Sequence, residues 1–109
     1  MAKNFIQPGD TITIPAPAAV ASGFPVIAGD IKGIAQGDAA SGGAVDVTCS
    51  GVWELPKVGA NNFTLGAKVY WDAGDELATT TATDNTLMGV AVAAAGASTA
   101  TVQVRLSGF

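Results

Sequence analysis

Apolar and polar positions alternate along this chain in short runs. "TITI" (11–14) sets Ile against Thr, and "AVDVTC" (44–49) puts Val45 and Val47 on one face and Asp46 and Thr48 on the other. In "VWEL" (52–55), Trp53 and Leu55 oppose Val52 and Glu54, and "TVQVRL" (101–106) alternates throughout. A period of two is the signature of strands with one buried face. "PVIAG" (25–29), "IKGIAQ" (31–36), "KVYWD" (68–72), "ELATT" (76–80) and "LMGVAVA" (87–93) read the same way. Between them lie turn clusters such as "QPGD", "ASGG", "DAGDE" and "ATDN". No stretch places apolar residues at i, i+3, i+4 and i+7 between a cap and a stop. Glycine and serine interrupt the alanine-rich pieces 38–44 and 90–98, so they predict no helix. The pattern predicts an all-β fold: one small domain over 1–109, a barrel or sandwich of eight or nine short strands. Residues 1–9 are a candidate extended N-terminal arm.

The pattern also occurs twice. "SGFPV" (22–26) and "LGAKV" (65–69) share a Gly three residues before a Val. "GIA" (33–35) and "GVA" (89–91) follow, and then the alternating "VDV" (45–47) and "VQV" (102–104). Two related β units are predicted, with about twenty residues ahead of the first, and "GVWELPKVGANNFTLGAKVYWD" (51–72) is read as the join between them. Two copies do not make a solenoid.

Composition narrows the function. Nine acidic residues face five basic ones, so no cationic stripe is available for phosphates. Nucleic acid and anionic membrane surfaces are therefore poor partners. The opening "MAKNFIQPGD" lacks a signal-peptide pattern and no apolar run is long enough for a transmembrane helix, which predicts synthesis and retention in the cytoplasm. Charged residues are only 13% of the chain, as suits a surface partly covered by other subunits. Cys49 is the only cysteine and reads as a buried small hydrophobe.

Histidine is absent, which removes the commonest general base and transition-metal ligand. No serine sits in a nucleophile elbow, and "SGG" (41–43) has no following lysine or helix to cradle phosphate. Asp72, Asp75 and Glu76 cluster in "WDAGDELATT" (71–80) without the spacing of a calcium loop. A hairpin turn with Gly74 at positive φ accounts for them. No catalytic residue, metal site or cofactor is expected. Four of the seven aromatic residues, Trp53, Phe63, Tyr70 and Trp71, fall between 51 and 72. Tyr70 and Trp71 are adjacent on a strand, so one points inward and the other toward solvent or a partner. Core filling, a protein interface and a ligand platform are the three readings of this cluster.

The segments "AKNFIQPGD", "GV-x-ELPK", "G-x-KVYWD" and the closing "G-x-V…V-x-VRL" resemble those of tailed-phage capsid decoration, or cement, proteins, over essentially the whole chain. The resemblance implies a non-enzymatic β protein that binds the major capsid protein on the outside of an assembled head and stabilises it. It also implies a place on the virion surface after synthesis in the bacterial host. Lys3, Asn4, Phe5, Ile6 and Gln7 are the candidate clinging residues, with Tyr70 and Trp71 as candidate capsid or subunit contacts. A homo-oligomer, with a trimer favoured, fits shells that offer local threefold positions. A ligand- or glycan-binding β module on a particle surface is the alternative.

Overall fold

The computed structural model describes Asn4 and residues 9–106. Nine strands and no helix occur among the described residues: β1 (Thr11–Pro15), β2 (Pro25–Ala28), β3 (Ile31–Ala35), β4 (Ala44–Thr48), β5 (Val52–Pro56), β6 (Lys68–Asp72), β7 (Leu77–Thr79), β8 (Thr86–Ala91) and β9 (Thr101–Leu106). Every run of alternating residues identified in the sequence forms a strand. Alternation also sets the faces: in β9, Val102, Val104 and Leu106 are buried while Thr101, Gln103 and Arg105 are exposed.

The strands form two antiparallel sheets in a sandwich-like arrangement and do not close into a barrel. Their orders are β1-β4-β3-β2 and β5-β9-β8-β6-β7. Matching β1 with β5, β4 with β9, β3 with β8 and β2 with β6 makes the first four positions of the two orders the same. The twofold pattern in the sequence is thus a repeated topology, and it extends further back than the sequence suggested. Residues 11–15 belong to the first unit as the counterpart of β5, and 51–72 opens the second unit rather than joining the two.

Backbone hydrogen bonds repeat with the strands. Ala35 N–H donates to Phe24 O at 2.9 Å, and Ala91 N–H donates to Ala67 O at 2.8 Å. Gln36 N–H donates to Asp46 O at 2.9 Å, and Val92 N–H donates to Gln103 O at 3.0 Å. The reciprocal bridge of Val20 with Ala39 has its counterpart in Phe63 with Ala95. Gly33 and Gly89 occupy equivalent close approaches of β3 to β4 and β8 to β9. A Cβ on Gly33 would lie 2.6 Å from Thr48 O, and one on Gly89 would lie 1.9 Å from Arg105 O. Only glycine fits such contacts.

Each sheet carries its own apolar cluster. The first gathers Ala16, Val26, Ala35, Val45, Val47 and Cys49, with Ile12, Ile14 and Val20 partly covered. The second is larger and includes Leu55, Phe63, Val69, Trp71, Met88, Val102 and Val104. Phe24, Ile27 and Ile34 leave the first sheet on its other face and pack against this second cluster, which holds the two sheets together. Ile34 is fully buried there.

Candidate interaction surface

The aromatic residues of 51–72 serve mainly the interior. Phe63 is fully buried in the second cluster, and Trp71 lies with it, its ring edge-on to Phe24 at a centroid distance of 6.4 Å and an interplanar angle of 89°. Such a T-shaped pair joins the two sheets through the ring quadrupoles as well as through buried area. Trp53 is half-buried on β5 and donates its indole N–H to Ser50 O at 2.8 Å. Tyr70 is half-buried on the opposite face of β6 from Trp71, between Thr79 of β7 and Leu87 of β8. These rings point in different directions and build no flat platform. Asn4 is exposed, while Lys3, Phe5, Ile6 and Gln7 lie outside the described residues.

The acidic turn after β6 is organised by its own backbone. One carboxylate oxygen of Asp72 accepts from Gly74 N–H at 2.9 Å and from Asp75 N–H at 3.2 Å. The left-handed residue of this turn is Glu76, at φ 56°, and not Gly74 as the sequence suggested. An Asx-type turn anchored by Asp72 fixes the chain direction, and the positive φ falls two residues later. Among the described residues, no three His, Cys, Asp or Glu side chains come together to hold a metal. Cys49 is buried, and its desolvation raises the thiol pKa, so it stays protonated at neutral pH.

Lys57 was not singled out from the sequence. Its side chain is buried, and its ammonium donates to the carbonyl oxygens of Val58 at 3.0 Å, Gly59 at 3.3 Å and Thr99 at 3.0 Å. Three donors meet three acceptors, so the lysine ties the end of β5 to the turn before β9. It is a structural clasp between loops. Its counterpart in the first unit is Ala16, where no such clasp exists.

A groove lies open beside β2, and a smaller one of about 390 Å³ lies on the second sheet beside Lys68 and Arg105. The volume of the groove beside β2 is about 620 Å³, and its lining includes Val20, Pro25, Ile27, Trp71, Ala73 and Glu76. Among the described residues, every lining residue but Glu76 is of apolar type. Both edges of the first sheet, β1 and β2, are free of strand partners among the described residues. In the second sheet, Val58 N–H donates to Ala78 O at 2.9 Å, so β7 reaches round to the end of β5. Among the described residues, Leu65, 74% exposed, is the largest exposed apolar side chain and sits in the turn before β6. Free strand edges and an apolar groove are features that pairing with another chain can use.

A family model described as phage cement protein matches residues 6–106. The chain belongs to the phage cement protein family. No curated protein and no solved structure matches it. The family is a structural one associated with the capsid of the virion, and its match spans both β units. In the cement fold seen here, the strands and turns that carried the sequence resemblance form the sheets themselves: "ELPK" is the end of β5 with its lysine clasp, and "KVYWD" is β6.

Proposed function

We propose that this chain binds the outside of an assembled phage head, through the major capsid protein, and stabilises the shell without any catalytic step. The family match across nearly the whole chain carries this reading. The surface supports it: a low share of charged residues, free strand edges and an apolar groove suit burial against other protein. Residues Lys3, Asn4, Phe5, Ile6 and Gln7 precede the free edge strand β1 and are a natural reach toward the shell. Trp71, which lines the groove, is a contact for a partner seated there, and Tyr70, half-buried between β7 and β8 on the other face of β6, is a contact for a second copy or a neighbouring coat subunit. The chain is made in the host cytoplasm and joins the head as a trimer, so that many modest contacts act together. Mixing the purified protein with heads that lack it tests this directly. Co-sedimentation and a higher temperature of head disruption are expected. Heads that sediment bare, or that bind the protein and disrupt at an unchanged temperature, would refute the role.

A further inference from the structure

The groove beside β2 corresponds to the place that β7 fills in the second unit. There, β7 pairs with β6 through Tyr70↔Thr79, Trp71↔Ala78 and Asp72↔Leu77. Its other side meets the segment after β5. Lys57 bridges Ala78, Val58 N–H donates to Ala78 O at 2.9 Å, and the Asn61 side-chain oxygen accepts from Thr79 Oγ at 2.7 Å and Thr80 N–H at 2.9 Å. Ala78 is fully buried between them. In the first unit, β2 is the counterpart of β6, and the segment running from Ala16 to Val20 is the counterpart of Lys57 to Phe63. Among the described residues no strand pairs with the outer edge of β2, and both walls line the groove. The chain spacing shows why: seven residues separate Val26 from Gly33, whereas twenty separate Val69 from Gly89. The extra length in the second unit is the β7 excursion.

The edge of β2 is set to receive a strand. Ala35 N–H donates to Phe24 O, so Phe24 and Val26 direct their backbone groups toward β3. Strand alternation turns the N–H and C=O of Ile27 outward, to the same side on which Tyr70 meets Thr79 in the second unit. At the plug position beside the groove, Val20 stands where Phe63 fills the second unit, and the smaller side chain leaves space. Glu76 sits exposed on the lining.

We infer that the first unit is completed in use by a strand from the phage coat protein, lying antiparallel to β2 in this groove. The strand carries a small apolar residue at its centre, as Ala78 does, and a lysine or arginine at the end that meets Glu76. This inference rests on the capsid-binding reading and names the contact that makes it. Main-chain hydrogen bonds would hold the strand, and the apolar floor with its single carboxylate would select it.

The chain's own β7 supplies a probe. A capped peptide of residues 75–81, Asp-Glu-Leu-Ala-Thr-Thr-Thr, and a second in which Lys replaces both acids are titrated into the full-length protein by NMR. The inference predicts amide shifts at Ile27 and around Val20 and binding of the lysine peptide at least several-fold tighter. Val20→Phe, which copies Phe63, should leave the fold intact and weaken the lysine peptide and the binding of heads by more than tenfold. Peptide shifts that avoid β2, or a folded Val20→Phe protein that binds heads like the wild type, would overturn the inference and leave the decoration role standing. Wild-type protein that fails on heads yet binds the peptide at β2 would instead overturn the decoration role together with the coat protein as the strand's source. Loss of a homo-oligomer in Val20→Phe, seen by light scattering, would assign the groove to a second copy and overturn the coat assignment.

Discussion

The two β units share one topology and differ in how fully it is built. In the second, Phe63 plugs the apolar cluster, Lys57 clasps two turns and β7 covers the edge of β6. In the first, the same three places hold Val20, Ala16 and an open groove. The buried side chains follow suit: the first cluster is made of Ala, Val and Cys, whereas the second contains Phe, Trp, Leu and Met. One repeat is thus closed at the edge by its own strand, and the other keeps that edge open among the described residues. A sheet with a free edge costs the isolated molecule packing and invites pairing with another chain.

The largest effect expected on this contrast comes from the close approaches. Gly89→Ala places a Cβ 1.9 Å from Arg105 O, a backbone atom that cannot move without breaking the β8–β9 ladder. A loss of about 4 kcal/mol or more is expected, seen as insoluble or unfolded protein. Gly33→Ala meets Val47 Cγ1 at 2.4 Å and Thr48 O at 2.6 Å in the looser unit, and should be milder in a urea titration. Equal loss at the two glycines would contradict a looser first unit.

The plug positions come next. Phe63→Ala empties a fully buried site and should cost about 3–5 kcal/mol. Val20→Ala removes a partly exposed side chain and should cost about 1 kcal/mol or less. Chemical denaturation of both variants measures the difference, and a similar cost at the two sites would mean the units are equally filled. For Lys57→Met, the carbonyls of Val58, Gly59 and Thr99 lose their shared donor, with an expected loss of about 1–3 kcal/mol.

Cys49 gives the smallest effect. Burial raises its pKa, so the folded state favours the neutral thiol. That stability is fully present below the unfolded thiol pKa and is lost as pH rises through the raised folded value. At neutral pH the thiol should resist alkylation in the native protein and react on unfolding. Rapid labelling of the folded chain would show that the first unit opens even at Cys49.

The strands were legible because one face of nearly every strand is buried, which writes a period of two into the sequence. Thus Val45 and Val47, or Val102 and Val104, declared their faces without help. The repeat was legible through Gly33 and Gly89, whose close approaches admit no other residue. Its start was missed because β1 and β5 share almost no residue types: "TITIP" and "VWELP" align only through their partners β4 and β9. The acidic turn is legible as a turn, but its composition points to Gly74 for the positive φ, whereas Asp72 sets the geometry and Glu76 carries it. Lys57 gave no signal, since a lysine after a strand ordinarily points to solvent. The groove could have been inferred from the longer spacing between Val69 and Gly89 and from Val20 facing Phe63 in alignment. Both become meaningful only once β2 and β6 are known to be equivalent.

The account stands on the claim that β2 is an edge awaiting a strand while β7 already completes its counterpart. Hydrogen–deuterium exchange of the full chain, free and bound to heads, tests it most directly. In the free protein, amides of 77–79 should be protected and the outward Ile27 amide should exchange quickly. On heads, the account predicts that Ile27 and its neighbours in 24–28 become protected by at least tenfold while 77–79 is unchanged. Heads that bind the protein yet leave 24–28 exchanging as before would contradict it.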